Sequence, residues 1–338
     1  MMNIFNVTKE SLEDSVISKG YKKFLASQII DWIYDKKIYN PDLYSNIKKE
    51  NRDFIKNEFS FDFISIEKVE EDSDTKKFLF RLLDGQKIEA VLMYHDYGLS
   101  ICVSSQVGCN MGCKFCESGR LKKVRNLETY EMVQQIILVS KYVNKKINSV
   151  VIMGIGEPFD NYDNVINFIK IINNDKMLAI GSRHITVSTC GIVPKIVQFS
   201  YLPWQVNLAI SLHAPTDEIR NQIMPISKAY PLDLLMKTIK DYTLKTGRRV
   251  TIEYVMLKGI NDTNNCAHQL ANLLKGMNVY VNLIGYNETN NIEYKASNND
   301  TIMKFYDTLK KDGINVTIRR KFGNKISAAC GQLRSKEI

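Results

Sequence analysis

From residue 128 to residue 319 the chain alternates between two kinds of segment, and this alternation restricts its fold more than any other feature. In one kind, apolar residues recur three or four apart, the mark of an amphipathic helix. The other kind is a short apolar run, the mark of a buried strand. The spacing predicts helices over 128–143 and 162–172, a shorter one from 192, and helices over 232–246, 263–275 and 298–312. Strands are expected at 100–104, 149–153, 184–188, 205–211, 250–256, 279–284 and 315–319. Strands separated by helices pair in parallel, because each crossover returns the chain to the same end of the sheet. Six or seven such units favour an α/β fold built as a full or partial (β/α) barrel. No G-x-G-x-x-G follows an early strand, which argues against a dinucleotide-binding sheet.

The segments before the barrel differ in period. Residues 11–20 and 24–36 carry apolar side chains at helical spacing (Leu25, Ile29, Ile30, Trp32, Ile33), Asn40-Pro41 interrupts them, and a lysine-rich helix is expected over 44–58. Residues 1–62 therefore read as an N-terminal helical accessory domain. From Ile64 the period falls to two, predicting strands at 64–71, 77–83 and 87–94 with Asp84-Gly85 as a hairpin turn. This short β extension, 63–96, precedes the barrel at 97–338. No apolar run reaches 18 residues and the N-terminus lacks a secretion-signal pattern, so a cytoplasmic protein without a membrane span is expected. The 46 Lys and Arg against 37 Asp and Glu leave a formal charge of +9, which suits a polyanionic partner.

Three of the seven cysteines form Cys109-Asn-Met-Gly-Cys113-Lys-Phe-Cys116, on the loop after the first barrel strand. In a reducing compartment such clustering indicates metal or cofactor ligation rather than disulfides. Three thiolates leave one position of a closed zinc site unfilled, and no Cys or His follows nearby. An iron–sulfur cluster with one open iron fits the ligand number; a zinc knuckle with a distant fourth ligand is the alternative.

A C-x₃-C-x₂-C with an aromatic (Phe115) before its last cysteine resembles the signature of radical S-adenosylmethionine (SAM) enzymes. The longer segment SSQVGCNMGCKFCESG, with Arg125-Asn126-Leu127 after it, resembles the RlmN/Cfr family of ribosomal-RNA adenine methyltransferases. Met153-Gly-Ile-Gly-Glu157-Pro158, Ser188-Thr189, Ser211-Leu212-His213-Ala214-Pro215 and Ala328-Ala-Cys330-Gly-Gln-Leu333 agree in order, and the resemblance spans residues 10 to 334.

The resemblance implies a radical SAM partial barrel and two cofactors, a [4Fe–4S] cluster on Cys109, Cys113 and Cys116 and SAM itself. It implies SAM contacts at Gly156, Glu157, Ser188, Ser211, Leu212, His213 and Asn287. Cys330 would carry a methyl group on sulfur, Cys102 would form a transient disulfide with it, and Glu89 would be the proton acceptor. The implied reaction is methylation of carbon 2 of an adenine in 23S ribosomal RNA, with transfer RNA permitted as a second substrate. A monomer served by an electron donor such as flavodoxin or ferredoxin is expected. Cfr-like methylation at carbon 8 is the alternative, and GEP and SLHAP in place of GEA and SLHSP favour the RlmN side. Glu117 and Gly285 depart from the usual pattern.

Several of these residues also have plainer readings. Two glycines in GIGE would let backbone approach a ligand, and its glutamate could hold an ammonium group, but the same residues make a strand-to-helix turn with a capping acid. Cys102 lies in an apolar strand where cysteine is usually an inert small hydrophobe. Glu89 could be an outward strand carboxylate, and a lone His213 a packed histidine. Cys190 and Cys266 read as core or surface residues. Basic residues gather at Lys122-Lys123-Arg125, Arg248-Arg249 and Arg319-Arg320-Lys321; the first cluster, just past the cysteine loop, and the last, beside the final strand, are expected to border the active-site face, where phosphates could be held.

Overall fold

The computed structural model describes residues 1–289, 293–319, 326 and 328–333. Among the described residues, ten strands form one sheet: β1 (Ser65–Asp72), β2 (Thr75–Arg81), β3 (Lys87–His95), β4 (Gly98–Cys102), β5 (Ser149–Ile152), β6 (Ile185–Thr189), β7 (Asn207–Ser211), β8 (Val250–Met256), β9 (Val279–Gly285) and β10 (Val316–Ile318). They lie in chain order across the sheet. Strands β4 to β10 pair in parallel, and β1 to β4 pair antiparallel. The order ends at β10 on one side and β1 on the other, so the barrel is partial as expected. The β extension is hydrogen-bonded into the same sheet through the β3–β4 pair, where Val91 faces Cys102.

Helices α1 (Lys9–Ser18), α2 (Phe24–Ile30) and α3 (Lys49–Glu58) build the N-terminal part; α4 (Thr129–Val143), α5 (Tyr162–Asn173), α6 (Val193–Phe199), α7 (Asp217–Ile223), α8 (Leu232–Thr246), α9 (Asn264–Leu274) and α10 (Asn299–Lys311) follow the barrel strands. Strand residues such as Val150, Ile152, Val187, Ile210, Ile252 and Leu283 share the main core with these helices. Their period-two neighbours face the other way, toward the barrel interior. The N-terminal part docks on α4: Asn6 Oδ1 accepts from Tyr130 N at 2.7 Å, and Ile64 N donates to Gln134 Oε1 at 2.9 Å.

Three expectations need correction. The helix expected over 24–36 stops being α-helical at Ile30 and continues as a π-helical turn, Asp31–Asp35. The helix expected over 44–58 begins only at Lys49, because Tyr44 turns inward to stack on Trp32, with centroids 5.0 Å apart and planes at 10°. Helix α7 was not expected; its seven residues are mostly polar and Pro225 follows closely, leaving too short an apolar period to register.

Candidate active site

The loop carrying the three cysteines leaves β4 at the C-terminal end of the parallel strands, where barrel sites form. Its backbone is tied on three sides: Cys109 N donates to Leu121 O at 3.1 Å, Lys114 N to Ile223 O at 3.0 Å, and Glu117 N to Gly331 O at 2.8 Å. Cys109, Cys113 and Cys116 all line one cavity of about 160 Å³ at the strand ends. Burial pushes the Cys109 thiol up to about 12 and raises Cys113 and Cys116 as well. Thiols this dry become thiolates only when a bound cationic centre offsets their charge. Among the described residues, no three of His, Cys, Asp and Glu converge on a point that a single metal ion could occupy. Three soft thiol donors gathered on one cavity suit an iron–sulfur cluster that leaves one iron open.

Gly154 and Gly156 are required for a reason other than ligand approach. A side chain on Gly154 would stand 2.7 Å from Ser104 Oγ, and one on Gly156 2.6 Å from Gln106 Cβ. These glycines let the end of β5 press against the chain leaving β4. Glu157 does cap a short helical turn: Oε1 accepts from Phe159 N at 3.0 Å and Oε2 from Cys190 N at 2.8 Å. It also lines the cavity, and the Thr189 and Cys190 side chains hydrogen-bond the same carboxylate. Burial pushes its carboxyl above the usual carboxylate range, partly offset by those backbone bonds.

Ser188, Ser211, His213 and Asn287 line the same cavity. The Ser188 and Ser211 hydroxyls are 3.4 Å apart across β6 and β7. His213 holds a left-handed backbone (φ 59°), and its Nδ1 accepts from Val255 N at 3.0 Å, so a neutral ring carries its proton on Nε2. Leu212 is placed differently: its side chain is buried in the main core, and it lines neither this cavity nor its neighbour.

Cys102 and Cys330 share a second, smaller cavity with Val91, Met93, Met153 and Arg319, and Cys330 also lines the first. Burial pushes the Cys102 thiol up to about 12, with Cys330 adding to it. The Cys330 carbonyl accepts from Asn287 Nδ2 at 3.4 Å, and Ser118 Oγ donates to Leu333 O at 2.8 Å, so the cysteine loop and the C-terminal segment hold each other. Glu89 is buried, not outward, on the same face of β3 as Val91 and Met93, and its carboxylate pairs with Lys77 Nζ at 3.3 Å. It lines neither cavity.

Sequence reasoning missed three buried polar residues here. Glu253 faces the cavity from β8, with Asn282 Nδ2 at 2.9 Å and Arg319 Nη1 at 3.8 Å. Cys190, read as core or surface, lines the cavity beside Glu157. Arg220 lies behind it, bonded to Cys190 O at 2.7 Å. A charge inside an otherwise apolar strand was the available signal for Glu253.

The basic clusters do not behave as one phosphate-binding rim. Lys123 pairs with Asp160 at 2.7 Å, and Arg125 grips Glu131 and Asp84 at 2.8 and 2.7 Å, bonds that build the scaffold. Arg248 and Arg249 precede β8 at the opposite end of the barrel, where Arg248 caps the carbonyls of Trp204 and Val206. Arg320 and Lys321 lie outside the described residues. Arg319 does reach the site.

Among the described residues, no helix is long and apolar enough to cross a membrane. Residues 103–267 match the radical SAM superfamily, and residues 2–60 match the ribosomal RNA large subunit methyltransferase N-terminal domain. The chain is 51% identical to a probable dual-specificity RNA methyltransferase RlmN of Spiroplasma citri, over 99% of this chain and 98% of that one. It is 49% identical to the protein of the same description from Listeria monocytogenes, over 99% and 94%. A crystal structure of a radical SAM methyltransferase from Sphaerobacter thermophilus superposes with a TM-score of 0.93 at 36% identity, covering 99% of this chain and all of that one. With both domains matched in order and relatives similar along their whole length, the chain belongs to the RlmN family of radical SAM RNA methyltransferases.

Proposed function

We propose that this enzyme methylates carbon 2 of an adenine in 23S ribosomal RNA, with transfer RNA as a second substrate, through a methyl group carried on Cys330. The observation that carries the reading is a pair of cavities with Cys330 in the wall of each. Cys109, Cys113 and Cys116 line one and Cys102 the other. A [4Fe–4S] cluster on the three cysteines, with SAM at its open iron and an electron from a flavodoxin- or ferredoxin-like donor, would supply the hydrogen-abstracting radical that an unactivated aromatic carbon requires.

The chain's own residues do the rest. Glu157, Ser188, Ser211, His213 and Asn287 line the space for SAM, with Gly156 completing the turn beneath it. Glu157 offers a carboxylate to the SAM ammonium group, and His213 an Nε2–H donor. The Cys330 sulfur would take its methyl group from a first SAM, which leaves as S-adenosylhomocysteine while the thiol gives up its proton, and would present that carbon to the adenine. Glu89 then accepts the ring proton. Cys102, as its thiolate, attacks the Cys330 sulfur, forming an S–S bond as the S–C bond to the product breaks; the product carbon keeps that electron pair and takes a proton to complete the methyl group. The adenine must leave its stack to reach this depth, which costs least in an RNA loop.

Mapping the modified adenine by mass spectrometry, in ribosomal and transfer RNA from cells with and without the gene, tests the reading. A 2-methyladenosine that vanishes with the gene is expected; 8-methyladenosine, or no change, would refute it.

A further inference from the structure

Arg220 on α7 is fully buried. Its Nε donates to Leu212 O at 3.2 Å, Nη1 to Tyr230 O at 3.3 Å and Nη2 to Cys190 O at 2.7 Å. Every partner is a backbone carbonyl: among the described residues no carboxylate stands within ion-pair distance of the guanidinium, and the nearby Asp217 spends Oδ1 on Leu232 N at 2.9 Å. An arginine keeps its charge at any working pH, and burying such a charge without an anion costs several kcal/mol. Asp217 acts on the guanidinium electrostatically but makes no ion pair with it, so a further anion nearby would lower that cost.

The surroundings identify the anion. Helix α7 carries the cysteine loop directly, since Ile223 O receives Lys114 N at 3.0 Å. The guanidinium reaches the wall of the cysteine cavity through Cys190, whose carbonyl it holds and whose residue lines that cavity with Cys109, Cys113 and Cys116. Its charge also acts electrostatically on Cys113, while no solvent intervenes to screen it. A four-iron cluster on three thiolates is anionic, and each added electron makes it more so.

We propose that Arg220 is a positioning residue that supplies the fixed positive charge setting the reduction potential of the cluster on Cys109, Cys113 and Cys116. The inference rests on the cluster reading of the preceding section. The step concerned is the arrival of one electron from the donor protein, with no proton or bond change; a neighbouring cation stabilises the more negative product and raises the potential.

The test uses full-length protein, loaded anaerobically with iron and sulfide and titrated with dithionite while the electron paramagnetic resonance signal of the reduced cluster is followed. Wild type, Arg220→Lys and Arg220→Gln are compared, and each unloaded protein is first melted. Arg220→Gln should need a more negative potential by at least a tenfold change in the reduction equilibrium, 59 mV for one electron, while Arg220→Lys stays within that of wild type. Failure of Arg220→Gln alone to retain iron, despite a cooperative melt without iron, would also support the charge role. An unchanged potential in Arg220→Gln would overturn it, as would unfolding of the unloaded glutamine variant, which would make Arg220 a clamp on three carbonyls. A wild type that binds no four-iron cluster would instead refute the cluster reading itself.

Discussion

The amide of Glu117 donates to the carbonyl of Gly331 at 2.8 Å, joining the loop of the cluster cysteines to the segment that carries Cys330. Ser118 Oγ adds a second bond, to Leu333 O, also at 2.8 Å and buried. In the proposed reaction this seam holds together the cluster loop and the methyl-carrying segment, which lie far apart in the chain.

Ser118→Ala breaks half of that seam and leaves the Leu333 carbonyl unpaired. An orphaned buried acceptor costs about 1–3 kcal/mol. Local opening of residues 328–333 is therefore expected to become at least about fivefold more frequent. Hydrogen exchange of the metal-free protein reads this directly, without dependence on the cluster. Exchange at 328–333 unchanged from wild type would show that the segment is held elsewhere.

Gly156 (φ 110°) has no room for a side chain, because Gln106 Cβ, Cγ and N all lie within 3 Å of where one would start. Gly156→Ala is expected to lose about 1–3 kcal/mol from overpacking, with backbone strain added. Gln106 is poorly able to yield. Its Oε1 accepts from Glu157 N at 2.9 Å, and its Nε2 donates to Asn126 and Asp160 at 2.9 and 2.8 Å. Urea unfolding of the metal-free variant gives the number. A loss below a few tenths of a kcal/mol would mean that the strand ends are looser than their contacts indicate.

His213 makes a prediction about acid. Burial, with the Arg220 charge adding to it, lowers its proton affinity to about 3, while an unfolded histidine titrates near 6.5. Between those values the unfolded chain binds a proton at this residue and the folded chain does not. Stability is therefore lost as pH falls from about 6.5 toward 3, by up to ~1.4 kcal/mol per pH unit from this one group. His213→Asn keeps a residue that tolerates the left-handed backbone and removes the titration. The difference in unfolding free energy between wild type and His213→Asn should shrink by about 1.6 kcal/mol from pH 6.5 to pH 5. A difference that stays constant would show that the ring is protonated in the folded state.

The barrel was legible because parallel strands covered by helices read as unbroken apolar runs: the strand Val250–Met256 and the helix Leu232–Thr246 lie where the pattern predicts. Helix α7 escaped because seven polar-rich residues carry hardly two turns of period. The π-turn at Asp31–Asp35 has the composition of an ordinary helix and leaves no local mark. At the site, residues inside ordered motifs were found through resemblance, and the cavities gather most of them. Arg220 and Glu253 were not found. A charged residue declares its burial only when tertiary neighbours are known, and on α7 a lone arginine among Asp, Glu, Asn and Gln looks like a solvated face.

Cys102 offers the sharpest separation between packing and chemistry. It is buried in a small apolar cluster with Val91, Met93, Ile155, Ala328 and Leu333. On packing alone, Cys102→Ala costs a small cavity, about 1 kcal/mol. In the proposed reaction the same change removes the thiolate that frees the product carbon from the Cys330 sulfur. The variant is then expected to accumulate a covalent protein–RNA adduct that survives denaturant and that nuclease trims to a nucleotide-sized remnant on Cys330. Adding Cys330→Ala should abolish the adduct, since no carbon is then carried on sulfur. The thiol is well protected, as burial and Cys330 both hold it up near 12, so its attack must wait for the adenine-bound state to alter that setting. A denaturing gel of Cys102→Ala expressed with its RNA decides the matter. A single band at the protein's own mass, with near-normal adenine methylation, would assign Cys102 to packing and rule out the two-cysteine release step.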